Sequence, residues 1–258
     1  ALFALGTTGE PSTMTAAERE EFLQFVILTV HGRIPVYAGT GSNATADAVT
    51  KSRRAETLGA DGILVVTPYY NKCTQNGLFA HYKAVNDAVG IPIIAYNVPT
   101  RTRVNIEPET GARLAELKNV VALKEASGDI DQMLAMAAAI DGKMDWYSGD
   151  DSLTSVAMSL GAKGVISVAA NVIPIEMKTL TDLCAENRYP EAAKLQFKLA
   201  PFMKALFSEV NPIPAKKALE YIGIKAGAPR LPLTEMEPAH AETLLKVMRQ
   251  LNIVGGKA

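Results

Sequence analysis

The chain has 258 residues, of which 48% are hydrophobic and 21% charged, and its formal net charge is -1. This length suits one α/β barrel with a large buried core. The mixed, nearly balanced charge excludes the basic surface expected of a nucleic-acid-binding protein or a polybasic membrane anchor, so we expect small-molecule partners.

The cysteines and the apolar windows restrict the class of protein further. Cys73 and Cys184 lie far apart and lack the spacing of metal or redox motifs. The most apolar window, residues 22–30, is too short to cross a bilayer. Because the sequence offers neither a signal peptide nor a disulfide framework, we predict a cytoplasmic location.

Short apolar runs alternate with amphipathic stretches along the chain, which is typical of βα units around a parallel sheet. The helix predicted over residues 16–30 begins with a capping box of Thr15 and Glu18 and turns Phe22, Val26 and Val30 inward. We predict seven strands, at residues 2–5, 34–38, 62–66, 91–96, 120–124, 144–148 and 164–168.

Seven strands are one fewer than a (β/α)8 barrel, or TIM barrel, requires. The chain begins inside an apolar run, so we expect the first βα unit of the barrel to be missing from it. We predict that residues 1–172 form the barrel from its second strand to its eighth. Residues 173–258 are predicted to form the closing helix and a C-terminal helical subdomain.

Four polar segments directly follow predicted strands, and active sites of such barrels lie at the carboxyl ends of the strands. These candidates are GTTGE at 6–10, TPYYN at 67–71, YNVPTR at 96–101 and KEASGD at 124–129. Lys124 ends an apolar run, where burial would favour a neutral amine that can attack a ketone. Alternatively, Lys124 is a structural lysine paired with a carboxylate such as Glu125 or Asp150.

Tyrosines follow two of these strands. Tyr96, Tyr69 and Tyr70 could each pass protons at a Schiff-base carbon, provided that a hydroxyl such as Thr7 or Thr8 holds the phenol. Each tyrosine could equally be a packing residue with a solvated tip.

The remaining polar candidates are one arginine and three histidines. Arg101 could bind a substrate carboxylate through two parallel hydrogen bonds, or form a surface salt bridge. His31, His81 and His240 lie away from the strand ends, so we predict neither a histidine-based triad nor a zinc site. The glycines of GTTGE lack the spacing of a nucleotide-binding loop.

Taken together, GTTGE, TPYYN, YNVPTRT, LKEASGD and GVISVAAN resemble the dihydrodipicolinate synthase and N-acetylneuraminate lyase superfamily in order and approximate spacing. The threonine pair and the arginine after YNVP are similar to the synthase branch. The resemblance implies a lyase that condenses pyruvate with L-aspartate 4-semialdehyde to 4-hydroxy-tetrahydrodipicolinate, in diaminopimelate and lysine biosynthesis. It also implies no metal or organic cofactor, and a homotetramer arranged as a dimer of dimers.

The resemblance assigns roles to the candidate residues. It implies that Lys124 forms the Schiff base with pyruvate, and that Tyr96, Thr7 and Tyr70 form a proton relay, with Tyr70 supplied by a neighbouring subunit. The pyruvate would be held by Thr8 and by the backbone around Gly149 and Ile166. Arg101 would position the carboxylate of the semialdehyde.

The sequence departs from the family pattern in two places. Arg103 stands where the family usually has glycine after the Arg-Thr of the YNVP segment, which suggests a shift in substrate preference. The resemblance also implies an effector pocket for lysine, lined here by Ala16, Arg19, Asn43, Asp47 and Tyr69. In lysine-regulated relatives two histidines and a glutamate occupy positions 16, 19 and 47, so we expect little or no inhibition by lysine.

Two other functions remain open at the level of sequence. One is a related pyruvate-dependent lyase for a 2-keto-3-deoxy sugar acid, which would need hydroxyl partners where a carboxylate-bearing aldehyde needs Arg101. The other is a non-catalytic binding protein on the same scaffold, which would have no need to keep Lys124, Tyr96, Thr7 and Tyr70 together.

Overall fold

The computed structural model of the chain describes residues 1–254, and their backbone alternates between parallel strands and helices. The strands are β1 (Leu2–Ala4), β2 (Val36–Gly39), β3 (Gly62–Val66), β4 (Ile93–Asn97), β5 (Val120–Glu125) and β6 (Asp145–Ser148). They form one sheet in the order β1 to β6, and each pairing from β1 to β5 is parallel.

Helices lie between the strands along the chain, and further helices follow the last strand. They are α1 (Ala16–Val30), α2 (Thr45–Leu58), α3 (Gln75–Asn86), α4 (Pro99–Thr102), α5 (Pro108–Leu114), α6 (Ile130–Ile140), α7 (Thr154–Ser159), α8 (Pro174–Ala185), α9 (Tyr189–Ala205), α10 (Ile213–Tyr221) and α11 (Pro238–Gln250). In the described part of the chain, no helix is both long and apolar enough to pass through a membrane.

The contacts divide the chain into two compact units. The first contains Ala1–Tyr147 and Leu160–Lys163, and it holds β1 to β5, most of β6 and helices α1 to α6. The second contains Ser148–Ser159 and, within the described chain, residues 164–254, and it holds α7 to α11. The boundary predicted at residue 172 stays a prediction.

The central strands of the first unit are buried on both faces. All five residues of β4 are buried, as are four of the five in β3, which explains why these strands read as continuous apolar runs without alternation. Gly62 opens β3 where a Cβ would lie 2.4 Å from the ring of Tyr37 and 2.9 Å from the Pro92 carbonyl oxygen, so any other residue here would force one of these neighbours to move.

The helix predicted at 16–30 is confirmed, together with its cap. Thr15 accepts a hydrogen bond from the Glu18 N–H, and the Glu18 carboxylate accepts one from the Thr15 N–H. The predicted inward position of Phe22 is wrong, because that side chain is 40% exposed. The buried stripe of α1 runs through Leu23, Val26 and Val30 instead.

The seventh predicted strand, at 164–168, is wrong for the described residues, which contain only an isolated parallel bridge between Ser148 and Val165. At Val168 the backbone is helical, with φ of -86° and ψ of -42°. The N–H groups of Val168 and Ala169 both donate to the Asp151 carboxylate, at 3.0 and 2.8 Å, instead of to a neighbouring strand. A side chain therefore replaces the ladder at this point.

Candidate active site

Lys124 and Tyr96 are paired neighbours at the carboxyl ends of β5 and β4. Successive strand residues point to opposite faces, so a register pair places both side chains on the same face of the sheet. The Lys124 Nζ atom lies 4.3 Å from the centre of the Tyr96 ring. Both side chains are buried, at 9% and 7% exposure, which confines the amine and the phenol to one protected site.

The hydroxyl of Tyr96 has two polar neighbours. Burial raises the pKa of Tyr96, whereas a hydrogen bond with Thr7 and the positive charge of Arg101 act in the opposite direction. The phenol thus stays protonated near neutral pH and is held in an oriented hydrogen bond. The structure therefore brings four predicted site residues together in the first unit: Lys124, Tyr96, Thr7 and Arg101.

The turn that carries Thr7 and Thr8 follows β1 directly. Thr7–Gly9 form one tight helical turn, closed by a 2.8 Å hydrogen bond from the Gly9 N–H to the Gly6 carbonyl. The turn approaches β2 closely, since a Cβ at Gly39 would lie 2.0 Å from the Leu5 carbonyl oxygen. Glycine at position 39 is therefore what lets the Thr7 turn begin where it does.

Arg101 lies in a segment that we call the Arg101 segment, residues 98–106, which leaves β4 after Asn97. The Arg101 side chain is exposed, whereas Thr102 beside it is buried. The Thr67 hydroxyl at the end of β3 donates to the Thr102 hydroxyl at 2.9 Å, and Thr102 donates to the Val104 carbonyl at 3.0 Å. The segment is thus anchored by a neighbouring strand end.

Arg103 has a left-handed backbone, with φ of 59° and ψ of 18°. This is the region that glycine adopts at low cost. The structure thus gives a physical reason why a glycine would suit this position, and it locates the cost of having arginine there in the backbone.

Tyr70 is presented differently from Tyr96. Its side chain is 92% exposed, and its backbone is left-handed with φ of 70°. The neighbouring Asn71 anchors the loop, because its side-chain amide donates to the Asn43 carbonyl at 2.9 Å. The structure therefore does not bury Tyr70 with Tyr96 within one chain.

Glu125 is the buried carboxylate that the sequence analysis treated only as a possible partner of Lys124. It is fully buried and lies next to Lys124 on β5, which directs the two side chains to opposite faces. Its oxygens accept hydrogen bonds from the Asn97 side chain at 2.9 Å and from the Ser127 N–H at 2.6 Å. Burial raises the pKa of Glu125, although hydrogen bonds from Ser127, Asn97 and Gln132 oppose that shift.

Asn97 and Glu125 are not among the site residues predicted from the sequence. The signal was available in the two motifs, because each residue follows directly on a predicted site residue, Tyr96 or Lys124, at the end of a neighbouring strand. In a parallel sheet such residues form a second register pair on the opposite face.

Gly149 and Ile166 lie in the second unit. The Ile166 N–H donates to the Ser148 carbonyl at 2.9 Å, so the backbone around these two residues is joined locally. Asp151, which is 1% exposed, secures the same region by accepting from Val168 and Ala169. The predicted roles of Gly149 and Ile166 in holding pyruvate stay predictions.

Two charged residues of the predicted effector pocket, Asp47 and Arg19, already have partners within the chain. Burial works against ionisation of Asp47, but hydrogen bonds from Lys51 and Ser42 and the charge of Arg19 hold its pKa below the ordinary value. Arg19 also donates to the Pro11 carbonyl at 3.2 Å.

The other three residues of the predicted pocket are Ala16, Asn43 and Tyr69. Ala16 is exposed at the start of α1, Tyr69 is 38% exposed, and the Asn43 carbonyl is bonded to Asn71.

The three histidines lie outside this cluster. His31 follows α1 in an exposed position, and His240 bonds Glu209 through its Nδ1 atom at 2.8 Å. His81 is buried on α3, where its Nδ1 atom bonds the Thr45 hydroxyl at 3.0 Å. Among residues 1–254, no group of three His, Cys, Asp or Glu side chains is placed to hold a metal ion.

The model of the dihydrodipicolinate synthetase family matches residues 1–251. The chain belongs to this family. The 4-hydroxy-tetrahydrodipicolinate synthase of Clostridium novyi (strain NT) is 49% identical over 252 residues, which are 98% of this chain and 85% of that relative.

Two solved structures of family members match the fold. The dihydrodipicolinate synthase from Acinetobacter baumannii complexed with pyruvate gives a TM-score of 0.94 at 43% identity, with 98% of this chain and 87% of that chain covered. A monomeric dihydrodipicolinate synthase variant gives a TM-score of 0.96 at 42% identity and covers 98% of this chain and 86% of that one.

Proposed function

We propose that this chain is a class I aldolase-type lyase that condenses pyruvate with L-aspartate 4-semialdehyde to give 4-hydroxy-tetrahydrodipicolinate. The observation that carries the proposal is the buried pairing of Lys124 with Tyr96, whose hydroxyl is held by Thr7. The name of the Clostridium novyi relative and the pyruvate bound to the Acinetobacter baumannii enzyme support the same reaction.

In this mechanism the amine of Lys124 attacks the ketone carbon of pyruvate. The resulting carbinolamine loses water to give an iminium, which then loses a proton from the pyruvate methyl group to become an enamine. The enamine carbon attacks the aldehyde carbon of the semialdehyde. The amino group of the semialdehyde finally attacks the iminium carbon, closes the ring and releases Lys124.

Tyr96 would carry the protons that these steps exchange. Its phenol lies beside the Lys124 amine, and the hydrogen bond with Thr7 gives it a second partner through which a proton can be passed. Tyr70 would extend this relay from a neighbouring subunit, which agrees with its 92% exposure in a single chain.

The carboxylates of the two substrates require separate recognition. For pyruvate we propose Thr8 together with the backbone around Gly149 and Ile166. For the semialdehyde we propose Arg101, because a guanidinium can take a carboxylate through two parallel hydrogen bonds. The positive charge of Arg101 acts on the Tyr96 hydroxyl, so the guanidinium lies near the reacting groups. A cation at this place favours an aldehyde that carries a carboxylate over a sugar.

We further propose that the six strands belong to a (β/α)8 barrel and that the active assembly is a homotetramer in the cytoplasm. The consecutive order of the strands and the TM-scores support the barrel. The reaction needs neither a metal nor an organic cofactor, since the iminium itself activates the pyruvate carbon.

Borohydride trapping tests the assignment of Lys124. Reduction in the presence of pyruvate should fix the substrate covalently to the protein, and peptide mapping should locate it at Lys124. Lys124→Ala should abolish trapping and condensation, whereas Lys118→Ala, which alters a lysine before the same strand, should leave both unchanged. Pyruvate mapped to another lysine would overturn the assignment.

A further inference from the structure

Asn97 and Glu125 form a register pair at the carboxyl ends of β4 and β5, directly after the pair Tyr96 and Lys124. Both side chains are fully buried and lie on the opposite face of the sheet from the reacting groups. The proposed mechanism uses neither of them. Two buried polar side chains at the ends of the catalytic strands therefore need a separate explanation.

The hydrogen bonds of Asn97 fix its orientation completely. The Ile106 N–H can only donate, so it must meet the Asn97 Oδ1 atom, at 2.9 Å. The Nδ2 atom of Asn97 then donates one hydrogen to Glu125 at 2.9 Å and the other to the Asn105 side chain at 2.8 Å. The amide thus uses both donors and its acceptor, and it links β5 to residues 105 and 106.

Side chains from helices α3 and α6 also form hydrogen bonds with Asn105 and Ile106. Gln75 on α3 donates from its side chain to the Asn105 carbonyl at 2.8 Å. Gln132 on α6 donates to the Ile106 carbonyl at 2.9 Å, and it also hydrogen-bonds Glu125. The far end of the Arg101 segment is therefore held by a network that converges on Asn97 and Glu125.

We propose that Asn97 and Glu125 are positioning residues for the second substrate, the aldehyde. They fix the end of the Arg101 segment relative to β4 and β5, and so they set where the Arg101 guanidinium meets the aldehyde's carboxylate. The inference rests on the proposed function, because it assigns the network a role in that reaction.

The backbone explains why the aldehyde is affected more than pyruvate. Tyr96 and Lys124 lie within β4 and β5, where the sheet holds their backbone. The Arg101 segment leaves the sheet after Asn97, so its end at residues 105 and 106 depends on side-chain hydrogen bonds. Loss of the Asn97 amide should therefore displace Arg101 and leave the Lys124 amine in place.

The test compares the two substrates in Asn97→Ala. We expect kcat/KM for the semialdehyde to fall about 10–100-fold, because a displacement of an ångström in a positioning element has an effect of this order. Borohydride trapping and kcat/KM for pyruvate should stay within about twofold of the wild type. Equal losses for both substrates, or no loss for either, would refute the positioning role.

A matched control separates positioning from loss of stability. Asn86 is also a buried asparagine, and it binds the opposite end of β5 by accepting from the Asn119 N–H at 2.9 Å. Asn86→Ala should lower the unfolding temperature without changing the ratio of the two kcat/KM values. If it produces the same selective loss, the effect belongs to β5 in general and the inference is wrong.

Three further variants decide the question even if Asn97→Ala does not fold. Gln132→Ala removes the hydrogen bonds of Gln132 to the Ile106 carbonyl and to Glu125 but keeps those of Asn97, so it should give a smaller loss confined to the aldehyde. Asn97→Asp combined with Glu125→Gln exchanges donor and acceptor, and it should recover part of the activity lost in Asn97→Asp alone. A loss in the pyruvate step of Gln132→Ala, or a failure of the exchange to recover any activity, counts against the proposal.

These outcomes are distinct from failure of the proposed function. If the wild-type protein does not condense pyruvate with the semialdehyde, the function itself is wrong. If the wild type is active and only the selective effect is missing, the function stands and the positioning role falls.

Discussion

Arg103 has a left-handed backbone conformation, which is unfavourable for a residue that carries a Cβ atom. A left-handed conformation costs a residue with a Cβ about 1–2 kcal/mol, and glycine avoids most of this cost at the expense of greater freedom in the unfolded chain. We predict that Arg103→Gly raises the free energy of unfolding by about 0.5–1 kcal/mol, measured by urea denaturation. Arg103→Ala keeps the Cβ and should give no gain; an equal gain would place the cost in the guanidinium.

Individual site residues were predictable where they follow a strand. Lys124 and Tyr96 end apolar runs, and parallel strands bring such ends to one edge, so their proximity follows from the sequence. The orientation of Phe22 on α1 was not predictable, because several apolar residues on that helix define competing faces. The role of Asn97 depends on hydrogen bonds to residues 105 and 106, which no periodicity reveals.

At the scale of elements, strand positions were predicted to within about two residues, because continuous apolar runs bounded by polar segments mark buried parallel strands. The seventh strand failed for a physical reason. Ser148 alone pairs with this stretch, through Gly164 and Ile166, and the Val168 and Ala169 N–H groups that follow donate to the Asp151 carboxylate, so the pairing stops after one bridge.

The packing of α2 and α3 contains a buried histidine that should respond to acid. Burial lowers the pKa of His81 to about 4, below the ordinary 6.5 of the unfolded chain. Between pH 4 and 6.5 the histidine is protonated in the unfolded state but neutral in the folded state. The free energy of unfolding should therefore fall as the pH falls from about 6.5 to 4.

A pair of variants isolates this contribution. Chemical denaturation at several pH values should show a flatter decline for His81→Gln than for the wild type across that window. His31→Asn changes an exposed histidine with a left-handed backbone and should leave the decline unaltered. Parallel curves for the wild type and His81→Gln would show that His81 is not the group responsible.

At the scale of the whole molecule, we predict that the active site is shared between subunits, with the exposed Tyr70 of one chain serving the Lys124 of another. Tyr70→Phe should lower turnover by roughly 10²–10⁴-fold if the phenol acts in general acid–base transfer. Mixing Tyr70→Phe with Lys124→Ala should restore activity through hybrid assemblies that pair an intact Lys124 with an intact Tyr70. If exchange of subunits is demonstrated and no activity returns, each site is complete within one chain.

We expect lysine to inhibit this protein weakly, because of the residues that line the predicted effector pocket. Asp47 already has Lys51 and Ser42 as partners, and the charge of Arg19 would repel a ligand's ammonium group. The loss of one charge-assisted hydrogen bond weakens binding by about 1.5–3 kcal/mol, roughly ten- to a hundredfold. We therefore predict half-inhibition only above about 1 mM lysine at saturating pyruvate.

The reciprocal variant provides the control for this prediction. Ala16→His, Arg19→His and Asp47→Glu together restore the residue types of lysine-regulated relatives, and the triple variant should be inhibited at lower lysine concentrations than the wild type. Strong inhibition of the wild type, or no response in the triple variant, would show that this pocket is not where lysine acts.

The sheet is ordered in space as it is ordered along the chain, from β1 to β6. During synthesis, each strand from β2 to β6 therefore emerges after the strand with which it pairs, and none of these pairings needs a later strand to be inserted between two earlier ones. All residues that pair β4 with β5 are synthesised before α7 to α11, so we expect the neighbourhood of Lys124 and Tyr96 to be able to form while the second unit is still being made.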